Sequence, residues 1–169
     1  MMVAAALGFT LVAIVLQATV FCYIQVFGVK PDLVVAIVAS IAILKGSRDG
    51  AVTGFLAGLL LDAVRGELVG ALALSYMAAG AVIGFAEERV FKDNLFLPAV
   101  ATAAATLVSY TVFIMLANSF GITIPYVTAL LRQVLPAMLY SAFFAPPIYA
   151  FFWAWYQRML ARGQESGAR

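Results

Sequence analysis

Few side chains in this sequence can do chemistry, and the missing types say as much as those present. Among 169 residues there is no histidine. That removes the usual general base of Ser-His and Cys-His hydrolases and the commonest transition-metal ligand. A single cysteine, Cys22, excludes an intrachain disulfide framework and any multi-cysteine zinc or iron–sulfur site. Three polar residues stand out as candidates for a functional role: Gln17, Asp32 and Asp62. Asp62 closes an apolar run, near Arg65 and Glu67. An ionisable group at membrane depth is by default a functional candidate, but a place at the end of a run favours pairing with Arg65, Lys30 or Arg132, or hydration. Asp32 follows Pro31 at the start of another run, where proline suits the first helical position and a carboxylate suits the positive end of the helix dipole. Gln17 falls inside the first run and must hydrogen-bond a second helix rather than face lipid. Intramembrane aspartyl proteolysis wants two aspartates within spans, and Asp62 alone is placed for it. The pair Glu87-Glu88, beside Arg89 and Lys92, reads as a solvated helix end. No Walker loop or dinucleotide fingerprint is present. The residues therefore predict no catalytic set, no cofactor and no metal.

The elements that carry these residues follow from composition. The chain is 65% hydrophobic and 11% charged, against about 45–50% and about 25% in soluble domains, so its apolar surface must be covered by lipid. The net charge of +2 is too small to suggest nucleic-acid binding. Charges punctuate the apolar runs: Val3–Phe27, Leu33–Leu44, Gly50–Leu61, Leu68–Ala86, Leu95–Asn118 and Val134–Tyr156. The first run lacks a basic leading segment and exceeds the 7–15 apolar residues of a signal-peptide core, so it is read as retained. The second and third are short against the ~20 residues needed to cross the hydrocarbon core. They are either one broken re-entrant unit or two short spans with snorkelling ends. Six spans with an inside N-terminus put Lys45, Arg48, Arg89, Lys92, Arg158, Arg162 and Arg169 inside and Lys30, Arg65 and Arg132 outside, which is all ten basic residues. Merging the two short runs would place most of the basic residues outside, against the positive-inside tendency. The prediction is an all-α, polytopic membrane bundle of about six helices over residues 1–160. Both termini are cytoplasmic, and residues 161–169 form a short, frayed tail. The rings from Tyr149 to Tyr156, just before Arg158, suit the inner interface.

Spacing adds detail. Gly46, Gly50, Gly54 and Gly58 recur every fourth residue, and Asp62 continues the step. On a helix each step of four drifts by only about 40°, so Gly50, Gly54 and Gly58 line one groove without side chains. Close backbone approach drives helix association in lipid, so the groove serves internal packing or a face for another subunit. Gly80 and Gly84, and Thr102, Thr106 and Ser109, offer further small-residue faces. The bridge Ser119–Arg132 is the one sizeable exterior segment, where Pro125 can open a helix and Tyr126, Leu130 and Leu131 can lie on the membrane surface. Pro136, Pro146 and Pro147 are expected to bend or break the last helix.

Pro31-Asp32-Leu33, Gly46, Gly50, Gly54-Phe55, Gly58-Leu59-Leu60, Asp62 and Gly70 resemble the core signature of the bacterial rod-shape-determining MreD family. Leu16-Gln17-Ala18-Thr19, Leu135-Pro136-Ala137 and Ala145-Pro146 resemble its ends, so the likeness spans most of the chain. The pattern departs at Ser141, where the family's last helix is expected to carry an asparagine. The resemblance implies a small, multi-pass inner-membrane subunit of the cell-elongation machinery. Its implied partners are the bitopic protein MreC and, through it, MreB filaments, the glycosyltransferase RodA and a penicillin-binding transpeptidase of peptidoglycan synthesis, all within membrane lipid. The rival expectation is a substrate-binding subunit like those of energy-coupling-factor transporters. That reading needs polar groups converging on one pocket, and the spans offer only Gln17, Gln25, Ser75, Tyr76 and Asn118, scattered along the chain.

Overall fold

The structure, a computed structural model, describes residues 2–19, 32–66, 68, 70–87 and 96–167. Among these every regular element is helical. In chain order they are α1 (Met2–Thr19), α2 (Leu33–Lys45), α3 (Ser47–Arg65), α4 (Ala71–Glu87), α5 (Leu97–Ser119), α6 (Tyr126–Ala129) and α7 (Leu135–Gly167). A π-helical segment, Leu130–Val134, joins α6 to α7. Cys22, Lys30, Pro31, Glu67, Glu88, Arg89 and Lys92 lie outside the described residues, as does the far end of the first apolar run.

The centre of the bundle is α2. Every residue from Leu33 to Leu44 is buried, and the helix touches α1, α3, α4, α5 and α7. Its sequence is apolar on all sides, the pattern of a helix with no solvent- or lipid-facing stripe. This explains its length. Thirteen residues rise about 20 Å, less than the ~30 Å hydrocarbon core, but a helix ringed by other helices need not match the bilayer.

One residue separates α2 from α3. Gly46 has φ 83° and ψ −174°, a region in which a side chain collides with the backbone and glycine does not. The two short runs are thus two helices with a sharp junction. α3 is longer than its apolar run: Arg48, Asp49, Asp62 and Arg65 all lie within the helix, so the charges do not mark its ends. Lys45 and Asp49, 3.7 Å apart across the junction, are one turn apart in sequence. α5, with Pro98 in its first turn, and the stretch Tyr126–Arg158 are each long and apolar enough to cross a membrane by themselves. Leu7–Gln17, Leu33–Lys45 and Ala71–Ala86 are shorter apolar helices.

The last helix departs from expectation twice. Pro125 opens a helix, as the sequence suggests, but that helix does not end within the bridge and continues through the π segment into α7. Pro146 and Pro147 sit inside α7 without breaking it. The irregularity falls just before Pro136 instead, where the Leu135 amide reaches back five residues to the Leu130 carbonyl. A proline ring clashes with the carbonyl four residues earlier and offers it no N–H, and widening the preceding turn relieves both problems.

Candidate functional site

The glycine groove of α3 is filled by α4 of the same chain. The two helices run antiparallel, with Gly50 against Gly80, Gly54 against Tyr76 and Gly58 against Leu72 and Ala73. A β-carbon at Gly50 would sit 2.8 Å from the Gly80 carbonyl oxygen, and one at Gly58 2.5 Å from that of Leu72. Gly84 opposes Gly46 and Ser47 in the same way. Small residues on both helices thus bring the two backbones together, gaining dispersion where no hydrophobic effect acts.

Asp62 is buried beneath this pair. Its carboxylate accepts hydrogen bonds from the backbone amides of Gly70 (2.9 Å), Leu72 (3.2 Å) and Ala73 (3.1 Å). The expectation of ion pairing or hydration gives way to a capping role. α4 begins at Ala71, after Gly70 at φ 94°, and carries no Ser, Thr, Asp or Asn of its own at its start. The last turn of α3 supplies the missing acceptor from across the turn, to amides that carry the positive end of the helix dipole.

Asp32 forms the second polar node. It is the N-cap of α2, its Oδ1 accepting from the Val35 amide at 3.3 Å. The Tyr76 hydroxyl of α4 donates to Oδ2, and the Asp32 amide donates to Ser141 Oγ of α7 at 2.9 Å. Asp32, Tyr76 and Ser141 are all buried. One residue therefore pins the start of the central helix to two neighbours. Ser141 supplies an acceptor where the family resemblance leads one to expect an asparagine. Sequence reasoning did not assign Tyr76 or Ser141 to this node. The available signal was a polar atom in an otherwise apolar run, but partners 44 and 109 positions from Asp32 are not paired by spacing.

Asp32, Arg65, Leu72, Tyr76, Ser109, Tyr110 and Phe113 line a cavity of ≈ 50 Å³ at this end of the bundle. At the other face an apolar groove of ≈ 320 Å³ runs between α1, α2 and α7, bordered by Val12, Leu16, Ile37, Pro147 and Phe151. Phe9 closes part of it, its ring 4.9 Å from that of Phe151 and 5.6 Å from that of Phe152.

The remaining polar candidates do not converge. Gln17 lies on α1, partly buried. Ser75 donates to the Ala71 carbonyl, and Asn118 accepts from the Ile124 amide. Gln25 is outside the described residues. Thr106 and Ser109 on α5 turn their hydroxyls back to the Thr102 and Thr106 carbonyls, the usual way a helix satisfies such groups. The described residues include no cluster of three or more His, Cys, Asp or Glu suited to a metal.

Comparison with known proteins identifies a family. The family model described as rod shape-determining protein MreD aligns with residues 2–159. No curated protein and no solved structure matches the chain.

Proposed function

The chain belongs to the MreD family of rod shape-determining membrane proteins, and from that premise we propose that it is a non-enzymatic scaffold of the cell-elongation complex. Rod shape determination is the family's role, and the family is not a known enzyme family. In the proposal the chain sits in the bacterial inner membrane as six spans, with both termini cytoplasmic. It docks the single membrane helix of MreC and through it links RodA, a penicillin-binding transpeptidase and MreB.

The observation that carries the reading is the inward use of the chain's polar groups. Asp32 and Asp62 are spent on capping helices and holding them together, which is what a rigid support requires and leaves little for substrate chemistry. The glycine groove is occupied by α4, so the docking face is assigned to the last helix. There Val127, Leu131, Leu135, Leu139 and Phe143 recur every fourth residue and are all exposed, Leu139 and Phe143 at 76% each. Ridges of this spacing pack into the grooves of a second helix.

The test is affinity capture of the tagged chain from its native membrane. MreC is expected to co-purify, and Leu139→Trp with Phe143→Ala to reduce its recovery while the bundle stays monodisperse. Capture without MreC from membranes that contain it would overturn the proposal.

A further inference from the structure

The cavity beside Asp32 has no part in the scaffold reading, and its walls carry opposite charges. An ionised carboxylate offers about four lone-pair sites. At Asp32 the Tyr76 hydroxyl and the Val35 amide fill two, and the rest of the group borders the cavity. Ser109 gives its proton to the Thr106 carbonyl at 2.9 Å, so it can only accept from a guest. Arg65 can only donate, and the Tyr110 phenol can do either. An anion in this space would meet the Asp32 carboxylate, and a cation would meet the Arg65 guanidinium. A guest that donates to Asp32 and Ser109 while accepting from Arg65 and Tyr110 must be neutral and able to do both.

The volume narrows the choice further. At ≈ 50 Å³ the cavity has room for about three water molecules, and Asp32, Arg65, Tyr76, Ser109 and Tyr110 put polar groups in its wall. We infer that this is a water-binding site in which ordered water bridges the Asp32 carboxylate of α2 to the Arg65 guanidinium of α3, with Ser109 and Tyr110 of α5 holding it. The water completes the polar node that joins α2, α4 and α7, and among the described residues Arg65 is the cation that shares the cavity wall with Asp32. The inference does not depend on which partner the protein docks.

Radiolytic footprinting of the full chain in lipid nanodiscs tests it, because bound water is a local source of hydroxyl radical. Tyr76 and Phe152 are similarly buried, exposed by 2% and 3%, but Tyr76 borders the polar cavity and Phe152 the apolar groove on the other face. Tyr76 is expected to be oxidised about tenfold faster than Phe152, reflecting water held against it. Ser109→Val, which fills the space, is expected to bring the two rates together. Equal rates in the unmodified protein would overturn the assignment, whether or not the variant folds. So would a fast Tyr76 rate that a folded Ser109→Val protein retains.

Discussion

At the scale of single residues, two aspartates illustrate how a carboxylate is tolerated inside an apolar bundle. Asp62 sits where three backbone amides point at it, and Asp32 where one amide and the Tyr76 hydroxyl do, so hydrogen bonds and a helix dipole offset the cost of burial without a direct ion pair to Arg65. Asp62→Ala leaves the Gly70 amide before α4 and the Leu72 and Ala73 amides within it without their acceptor. The expected loss is about 1–3 kcal/mol, measured as a lower unfolding midpoint, with Asp62→Asn falling between the variant and the parent. Ser141→Ala removes the acceptor of the buried Asp32 amide, and a cost of about 1–3 kcal/mol is expected there also. If Ser141→Ala unfolds at the parent midpoint, the node does not bear on stability. Both aspartates were visible in the sequence as polar interruptions of apolar runs. Their partners were not, because Gly70 is a turn residue and Tyr76 and Ser141 belong to helices brought close only by folding.

At the scale of elements, the four-residue glycine period predicts a helix face open to close approach, and in the structure that face lies against α4. That neighbour was recoverable only in part: Gly80 and Gly84 share the four-residue step, but nothing in the spacing fixes an antiparallel register. A glycine inside α3 and the glycine before it should behave differently. Gly58→Leu drives side-chain atoms into the Leu72 carbonyl and the Ala73 backbone. It is expected to cost at least about 3 kcal/mol, or to prevent folding, with partner recovery lost as a consequence. Gly46→Ala meets no neighbouring atom, so its cost is that of the backbone angle alone, about 1–3 kcal/mol. Thermal unfolding of the two variants side by side separates crowding from strain. The prolines teach a different lesson. Composition predicts an interruption in the last helix, but the i−4 carbonyl clash acts upstream of the ring, and the helix absorbs it as the π turn before Pro136 rather than as a break at Pro146 or Pro147.

At the scale of the whole molecule, the apolar composition and the scarcity of charge identify a membrane protein before any helix is drawn. The bundle's arrangement around α2 is less legible. The short second run looked like a poor span, and only the ring of five neighbours shows why a short helix suffices. Asp32, Asp62, Arg65 and Tyr110 gather at the end where α2 and α4 begin and α3 stops. The opposite end holds the Lys45–Gly46 junction and the aromatic stretch of α7. In the proposed topology the first end faces outward and the second faces the cytoplasm. A protease-accessible tag after residue 169 should then be cut only from the cytoplasmic side.

The central claim is that the outer stripe of the last helix holds a partner's single helix. Photo-crosslinking in intact membranes addresses it directly, with the probe placed in turn at Leu139, Phe143 and Val82, which is exposed on α4. The account predicts a covalent adduct with MreC from Leu139 and Phe143 and none from Val82. Adducts absent from both positions on the last helix, or formed equally from Val82, would contradict it.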